Sequence, residues 1–146
     1  MPVVNLTDHP TVKTPYGRWQ PLNGPLGVAG FGISAIVCDP GEEFDIEHDE
    51  TESGQQEAYI VVAGRATFRI GADEVEAGPG QVVSAPDPAA VRSYGALEPG
   101  TRIVCIGGAP AGDDQAYGSW IGEAAGGLSA RLATPSRKAS ISSIVL

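Results

Sequence analysis

Turn signals recur along the middle of this chain and cut it into short β-prone runs, and that punctuation constrains the fold more than any other feature. Asp39-Pro40-Gly41, Gly64, Gly71-Ala72-Asp73, Gly78-Pro79-Gly80, Pro86-Asp87-Pro88 and Glu98-Pro99-Gly100 separate the runs. Proline pre-sets the backbone for a turn and glycine supplies the conformations that other residues avoid. Twenty glycines and twelve prolines in 146 residues argue against a helical protein. Short strands at this spacing make a sandwich or a barrel, so the fold class is all-β. The length suits one domain with a real core.

The runs have readable faces. Leu26 to Cys38 is apolar but carries glycines at 27, 30 and 32, which favours a strand over a helix. Glu43 to His48 alternates, placing Phe44, Ile46 and His48 on one face and Glu43, Asp45 and Glu47 on the other. That parity turns His48 inward. A polar loop, Asp49 to Gln56, leads to a strand whose faces are Glu57, Tyr59, Val61 and Ala58, Ile60, Val62. With both faces largely apolar, this strand is expected to be central. Ala66–Ile70, Glu74–Glu76, Gln81–Ala85, Val91–Ala96 and Thr101–Ile106 complete the strands.

Three segments follow. Residues 1–25 read as an extended arm anchored by Tyr16 and Trp19, with His9 exposed beside Pro10. Residues 26–108 form the barrel. Residues 109–146 form a C-terminal extension that packs on the barrel or on a partner, its apolar end Ile141–Leu146 tied to a sheet edge.

Charge narrows the function. A net charge of −9 disfavours nucleic acid and anionic membrane surfaces, which repel such a protein. No apolar run is long enough to span a bilayer, and the N-terminus lacks the basic and apolar regions of a signal peptide, so a cytoplasmic protein is expected. Cys38 and Cys105 read as small buried hydrophobes. The sequence has no nucleophile elbow, phosphate loop or dinucleotide fingerprint. Nine of the eighteen carboxylates lie between Asp39 and Glu57, around His48. Charge at that density beside a β-prone run marks a solvated loop, a metal site or a polar cavity.

The order of these pieces resembles the cupin superfamily over about residues 26–108. Pro40-Gly41 opens the first cupin motif and Glu57, with six residues between it and Gly64, closes it. Gly78-Pro79-Gly80 and Pro86-Asp87-Pro88 match the layout of the second. HDETESGQQEAYIVVAGRATF and PDPAAVRSYGALEPGTRIVCIGG look like small single-domain bacterial cupins, with their HDE, QEE-type and ATF stretches and a Gly-Gly ending. The resemblance implies an antiparallel β-barrel of the jelly-roll type, often a homodimer, with the N-terminal arm and C-terminal tail appended. It also exposes departures. Most metal-binding cupins supply three His and one Glu, whereas this chain has two His in all. Glu50 stands two residues beyond His48 on the same face, and Val91 stands where the second motif presents a histidine, with Arg92 next to it. The metal-binding motif is degenerate.

Two uses of the site stay open at this level. In one, His48 and Glu57 form an inward pair that orients a small organic ligand or moves a proton, as in a metal-independent cyclase or isomerase. In the other, His48, Glu50 and Glu57, with Glu52 as a further candidate, hold a weakly bound divalent metal (Fe, Mn or Zn) in an oxygenase or isomerase. Gln55, Tyr59, Arg92 and Tyr94 are the other polar groups within reach of a ligand. For Arg92 a surface position is the first expectation. A non-catalytic sensing or scaffold module is the third reading.

Overall fold

A computed structural model describes residues 1–14, 17–42 and 47–109. In chain order these form β1 (Val12–Thr14), β2 (Gly17–Pro21), a helical turn α1 (Asn23–Leu26), β3 (Gly32–Cys38), β4 (Gln56–Ala63), β5 (Ala66–Ile70), β6 (Asp73–Ala77), β7 (Val82–Ala85), β8 (Arg92–Ala96) and β9 (Thr101–Gly108). A six-stranded sheet, β1-β2-β3-β9-β4-β7, faces a three-stranded sheet, β6-β5-β8. Every pairing is antiparallel. Among the described residues, no helix is long and apolar enough to cross a membrane.

The core lies between the sheets. The larger sheet contributes Ile36, Tyr59, Val61, Ala85, Ile103 and Cys105, and the smaller one Ala66, Phe68, Ala77 and Tyr94. Tyr59, Phe68 and Tyr94 form a triangle of tilted rings with centroids 5.4 to 5.6 Å apart. Each such contact is worth about 0.5–1.5 kcal/mol beyond the area it buries, so the triangle clamps the two sheets together. β4 has the alternation read from sequence, with Glu57, Tyr59 and Val61 buried and Val62 exposed. It lies between β9 and β7, inside the sheet as expected.

Gly64 ends β4 for a steric reason. Its φ is +70°, and a Cβ there would lie inside the Thr101 side chain and 2.7 Å from the Thr101 Cα. No larger residue fits that crossing.

Local structure modifies three expectations. Residues 12–14 and 17–21 add β1 and β2 to the sheet edge, so these parts of the arm are sheet. His9 is half-buried, its Nε2 lying 3.3 Å from the Pro21 carbonyl, because Gln20 ties the preceding segment down. The Gln20 amide donates to the carbonyls of Leu6 (2.9 Å) and His9 (2.8 Å). Finally, β3 starts at Gly32 rather than Leu26. Asn23 shapes the preceding loop by donating to the Val28 and Phe31 carbonyls and accepting from the Ile33 N–H. Cys38 and Cys105 are both buried, as read from sequence. Glu43 to Ile46, Tyr16 and the C-terminal run Ile141–Leu146 lie outside the described residues.

Candidate functional site

One mouth of the barrel gathers the chemistry. Here β4 begins, β9 ends, β8 begins, and the loop from β7 carries Pro86-Asp87-Pro88. The segment from His48 to Gln56 is stitched across this mouth by its backbone. His48 and Arg92 exchange hydrogen bonds, the Arg92 N–H to the His48 carbonyl at 2.8 Å and the reverse at 3.3 Å. The Glu50 N–H donates to the Pro88 carbonyl at 2.8 Å, and the Gln56 amide to the Pro86 carbonyl at 2.8 Å. Ser53 donates its hydroxyl to the Glu50 carboxylate. A polar loop in sequence is therefore a fixed wall in the structure.

Glu57 is the most constrained carboxylate. It is 3% exposed, on the inner face of β4 between Gly107 of β9 and Ala85 of β7. Its Oε2 accepts from Arg92 Nη1 at 3.0 Å and from the Tyr59 hydroxyl at 2.5 Å. The Cys105 thiol stands 4.0 Å from Oε1. Burial, and then the Glu57 charge, push the Tyr59 hydroxyl well above its usual range, so it stays a neutral donor.

Arg92 is where the structure departs furthest from the sequence reading. The first expectation placed it on the surface; it is 1% exposed. Besides Glu57, its guanidinium donates to the Asp87 carbonyl (2.7 Å) and twice to the Ala90 carbonyl (3.2 and 3.1 Å). An arginine can be buried only when paired and hydrogen-bonded, and the turn after β7 supplies those acceptors. Val91, at the second motif's histidine position, points out at 45% exposure. The inward group at this corner of the mouth is thus a guanidinium. Removing one member of so buried a pair costs about 3–5 kcal/mol, since the other charge is left uncompensated.

Beside the expected His48–Glu57 pair, both residues have further partners. Glu57 is hydrogen-bonded to Arg92 and Tyr59, while His48 Nε2 lies 3.5 Å from Glu50 Oε1. All three still converge: His48, Glu50 and Glu57 each bring one ligand atom within 4.8 Å of the others. Glu52 is exposed and stands apart from this group. Asp49 turns outward, its carboxyl held below the usual carboxylate range by hydrogen bonds from Thr51.

Of the ligand-binding candidates, Tyr59 supports Glu57 and Tyr94 packs in the aromatic triangle. Gln55 is buried at 7% exposure, and its Oε1 has no hydrogen-bond partner among the described residues. A buried polar atom left so costs about 1–3 kcal/mol. Two concavities lie elsewhere: about 230 Å³ over Thr67, Arg69 and Ser93, and about 470 Å³ beside Trp19, Asn23 and Ser34.

The donor set fits a divalent ion. One imidazole nitrogen and two carboxylates suit a borderline cation, and metal–ligand bonds of about 2.0–2.2 Å place ligand atoms roughly 3 to 4.4 Å apart. The 3.5 Å between His48 and Glu50 lies in that range.

No family model matches the chain, and no curated protein matches it. Solved structures do. KdgF from Halomonas sp. is 17% identical, with a TM-score of 0.57 over 70% of this chain and 88% of that one. A Cupin 2 conserved barrel domain protein from Salinispora arenicola is 20% identical, with a TM-score of 0.57 over 73% and 87%. A sugar phosphate isomerase of the cupin superfamily from Silicibacter pomeroyi is 15% identical, with a TM-score of 0.58 over 73% and 74%. The fold is that of the cupins. At these identities the likeness reaches the fold and stops there.

Proposed function

We propose that this protein is a small-molecule-binding cupin whose barrel mouth holds a divalent cation on His48, Glu50 and Glu57 and presents it to an oxygen-bearing organic substrate. The convergence of those three ligand atoms within 4.8 Å is the observation that carries this reading. Each ligand has its own support: Arg92 and Tyr59 hold Glu57, Ser53 and the Pro88 carbonyl hold Glu50, and the backbone bridge to Arg92 holds His48. Supports of this kind fix ligand orientation and tune affinity.

When bound, a divalent ion supplies Lewis-acid polarisation of a carbonyl or hydroxyl oxygen. The chain's own residues do the rest. Glu57 is held still, with Oε2 engaged, and Glu50 keeps a carboxylate at the half-buried rim. Arg92 offsets one of the two carboxylate charges, so a moderate and exchangeable affinity follows rather than a structural one. An isomerase activity is compatible with this arrangement, and one similar structure is described as a sugar phosphate isomerase.

The metal-free alternative, in which His48 and Glu57 move a proton, is less well served because both Oε2 hydrogen bonds hold Glu57 in a fixed role. Titration of metal-stripped protein with Mn²⁺ tests the choice. One equivalent bound, and lost in His48→Ala, supports the cation site; no saturable binding returns the metal-free reading.

A further inference from the structure

We infer that the substrate is an elongated amphiphile, whose oxygen-bearing head meets the cation at Glu57 and whose apolar, aryl-ended body lies in the concavity beside Trp19. The head's position rests on the cation reading above; the place and chemistry of the body follow from separate observations.

The first is register. Residues directly opposite one another in an antiparallel sheet send their side chains to the same face. Glu57 faces Gly107 across β4 and β9, and Gly107 faces Gly32 across β9 and β3. In the next row Tyr59 faces Cys105, Cys105 faces Ser34 and Ser34 faces Pro21. Trp19 faces Ile36, a core residue, so its indole belongs to the same inner face. From Glu57 towards β2 that face thus carries two glycines in one row, and a cysteine, a serine and a proline in the other. The Cys105 thiol stands 4.0 Å from Glu57 Oε1 at one end of this floor. Ser34 and Pro21 line the concavity at the other. With strands about 4.8 Å apart, the β4-β9-β3-β2 order puts about 14 Å between the strands of Glu57 and Trp19.

The second is chemistry. The concavity measures about 470 Å³, and none of its lining residues is charged. The Asn23 amide is spent within its own loop, on the Val28 and Phe31 carbonyls and the Ile33 N–H. A ligand therefore meets the half-buried Trp19 ring, with Pro21, Val28 and Ala29 around it. Such a surface rewards apolar and aromatic contact and offers an ion nothing. The charged groups stand at the far end of the same floor, where His48, Glu50 and Glu57 converge. One polar end and one apolar end describe an amphiphile.

Calorimetric titration of the full chain tests this, with Mn²⁺ first and then with acetohydroxamate, 6-phenylhexanohydroxamate and 6-phenylhexan-1-ol. The hydroxamates share a chelating oxygen head, and the alcohol carries the body without the chelator. On Mn²⁺-loaded protein, 6-phenylhexanohydroxamate should bind at least about tenfold tighter than acetohydroxamate. Trp19→Ala should cut that advantage to about threefold or less, while Mn²⁺ and acetohydroxamate affinities stay within about twofold. Ala29→Trp, at an exposed lining position, fills the concavity and should act the same way, which keeps the test valid if Trp19→Ala does not fold. Absence of Mn²⁺ binding would fail the cation reading alone. In that case 6-phenylhexan-1-ol decides: it should still bind, and weaken about tenfold in either variant. Equal affinity of the two hydroxamates, an advantage untouched by both variants, or no saturable binding of the alcohol would each overturn the inference and leave the concavity to another occupant.

Discussion

The β5–β6 hairpin and the barrel mouth hold the same kind of contact and put it to different use. On the hairpin, Arg69 meets Glu74 at 2.8 Å and Arg65 meets Glu76 at 3.1 Å, all four side chains at least 45% exposed. At the mouth, Arg92 meets Glu57 at 3.0 Å, with side chains 1% and 0% exposed. Distance does not separate them; burial does. In water the pairs are screened and worth about 0–1 kcal/mol. Inside the protein the pair is a commitment that neither side chain can leave, which is why it can hold one wall of the barrel mouth.

The largest expected break of this symmetry is Arg92→Met. It should lower unfolding free energy by about 3–5 kcal/mol, against less than about 1 kcal/mol for Arg69→Met, both read by chemical denaturation. The double variant Arg92→Met, Glu57→Leu should recover much of that loss, because no buried charge is stranded; failure to recover would show that the pair's worth is attraction rather than avoided cost. Next in size is Tyr59→Phe, which removes a donor to a buried carboxylate and should cost about 1.5–3 kcal/mol. Its effect on Mn²⁺ affinity should exceed that of any hairpin substitution.

Alkali sharpens the contrast further. Burial, then the charges of Glu42 and Asp39, push the Cys38 thiol from 9.0 up to about 12, and Tyr59 is also pushed up. Both groups ionise first in the unfolded chain, so above their ordinary values the folded state binds more protons and stability falls as pH rises. The Cys38 contribution is whole below pH 9.0 and is lost progressively towards about 12. Cys38→Ala should flatten the decline across that window, and an unchanged slope would remove the assignment. The smallest effect is salt. Raising ionic strength to about 1 M, where the Debye length is roughly 3 Å, should erase the hairpin pairs' contribution and leave that of Arg92 nearly intact.

Much of the fold was legible because turns and alternation are local. Gly71-Ala72 closes the β5–β6 hairpin, Ile70 facing Asp73, and the parity of Glu57, Tyr59 and Val61 carried directly into the core. Gly64 kept its place as the close of the first motif, for the steric reason seen at Thr101. The candidate site was half legible. His48, Glu50 and Glu57 were named from sequence, but their partners were not, since hydrogen bonding across the mouth depends on strand order rather than on neighbours in the chain. All five residues of β8 are buried, so Arg92 sits in a strand with no alternation to report which way it points. The Pro86-Asp87-Pro88 turn read as a strand breaker; its Asp87 carbonyl, with that of Ala90, is what makes a buried guanidinium tolerable. Trp19 likewise gave no sign that its segment would pair with β3, because β2 is short and proline-bounded.

Pulsed electron paramagnetic resonance on the Mn²⁺-loaded protein tests the central claim most directly. The account predicts coupling to a single coordinated imidazole nitrogen, absent in His48→Ala and retained in His9→Ala. A spectrum like that of the hydrated ion, or nitrogen coupling that survives loss of His48, would contradict it.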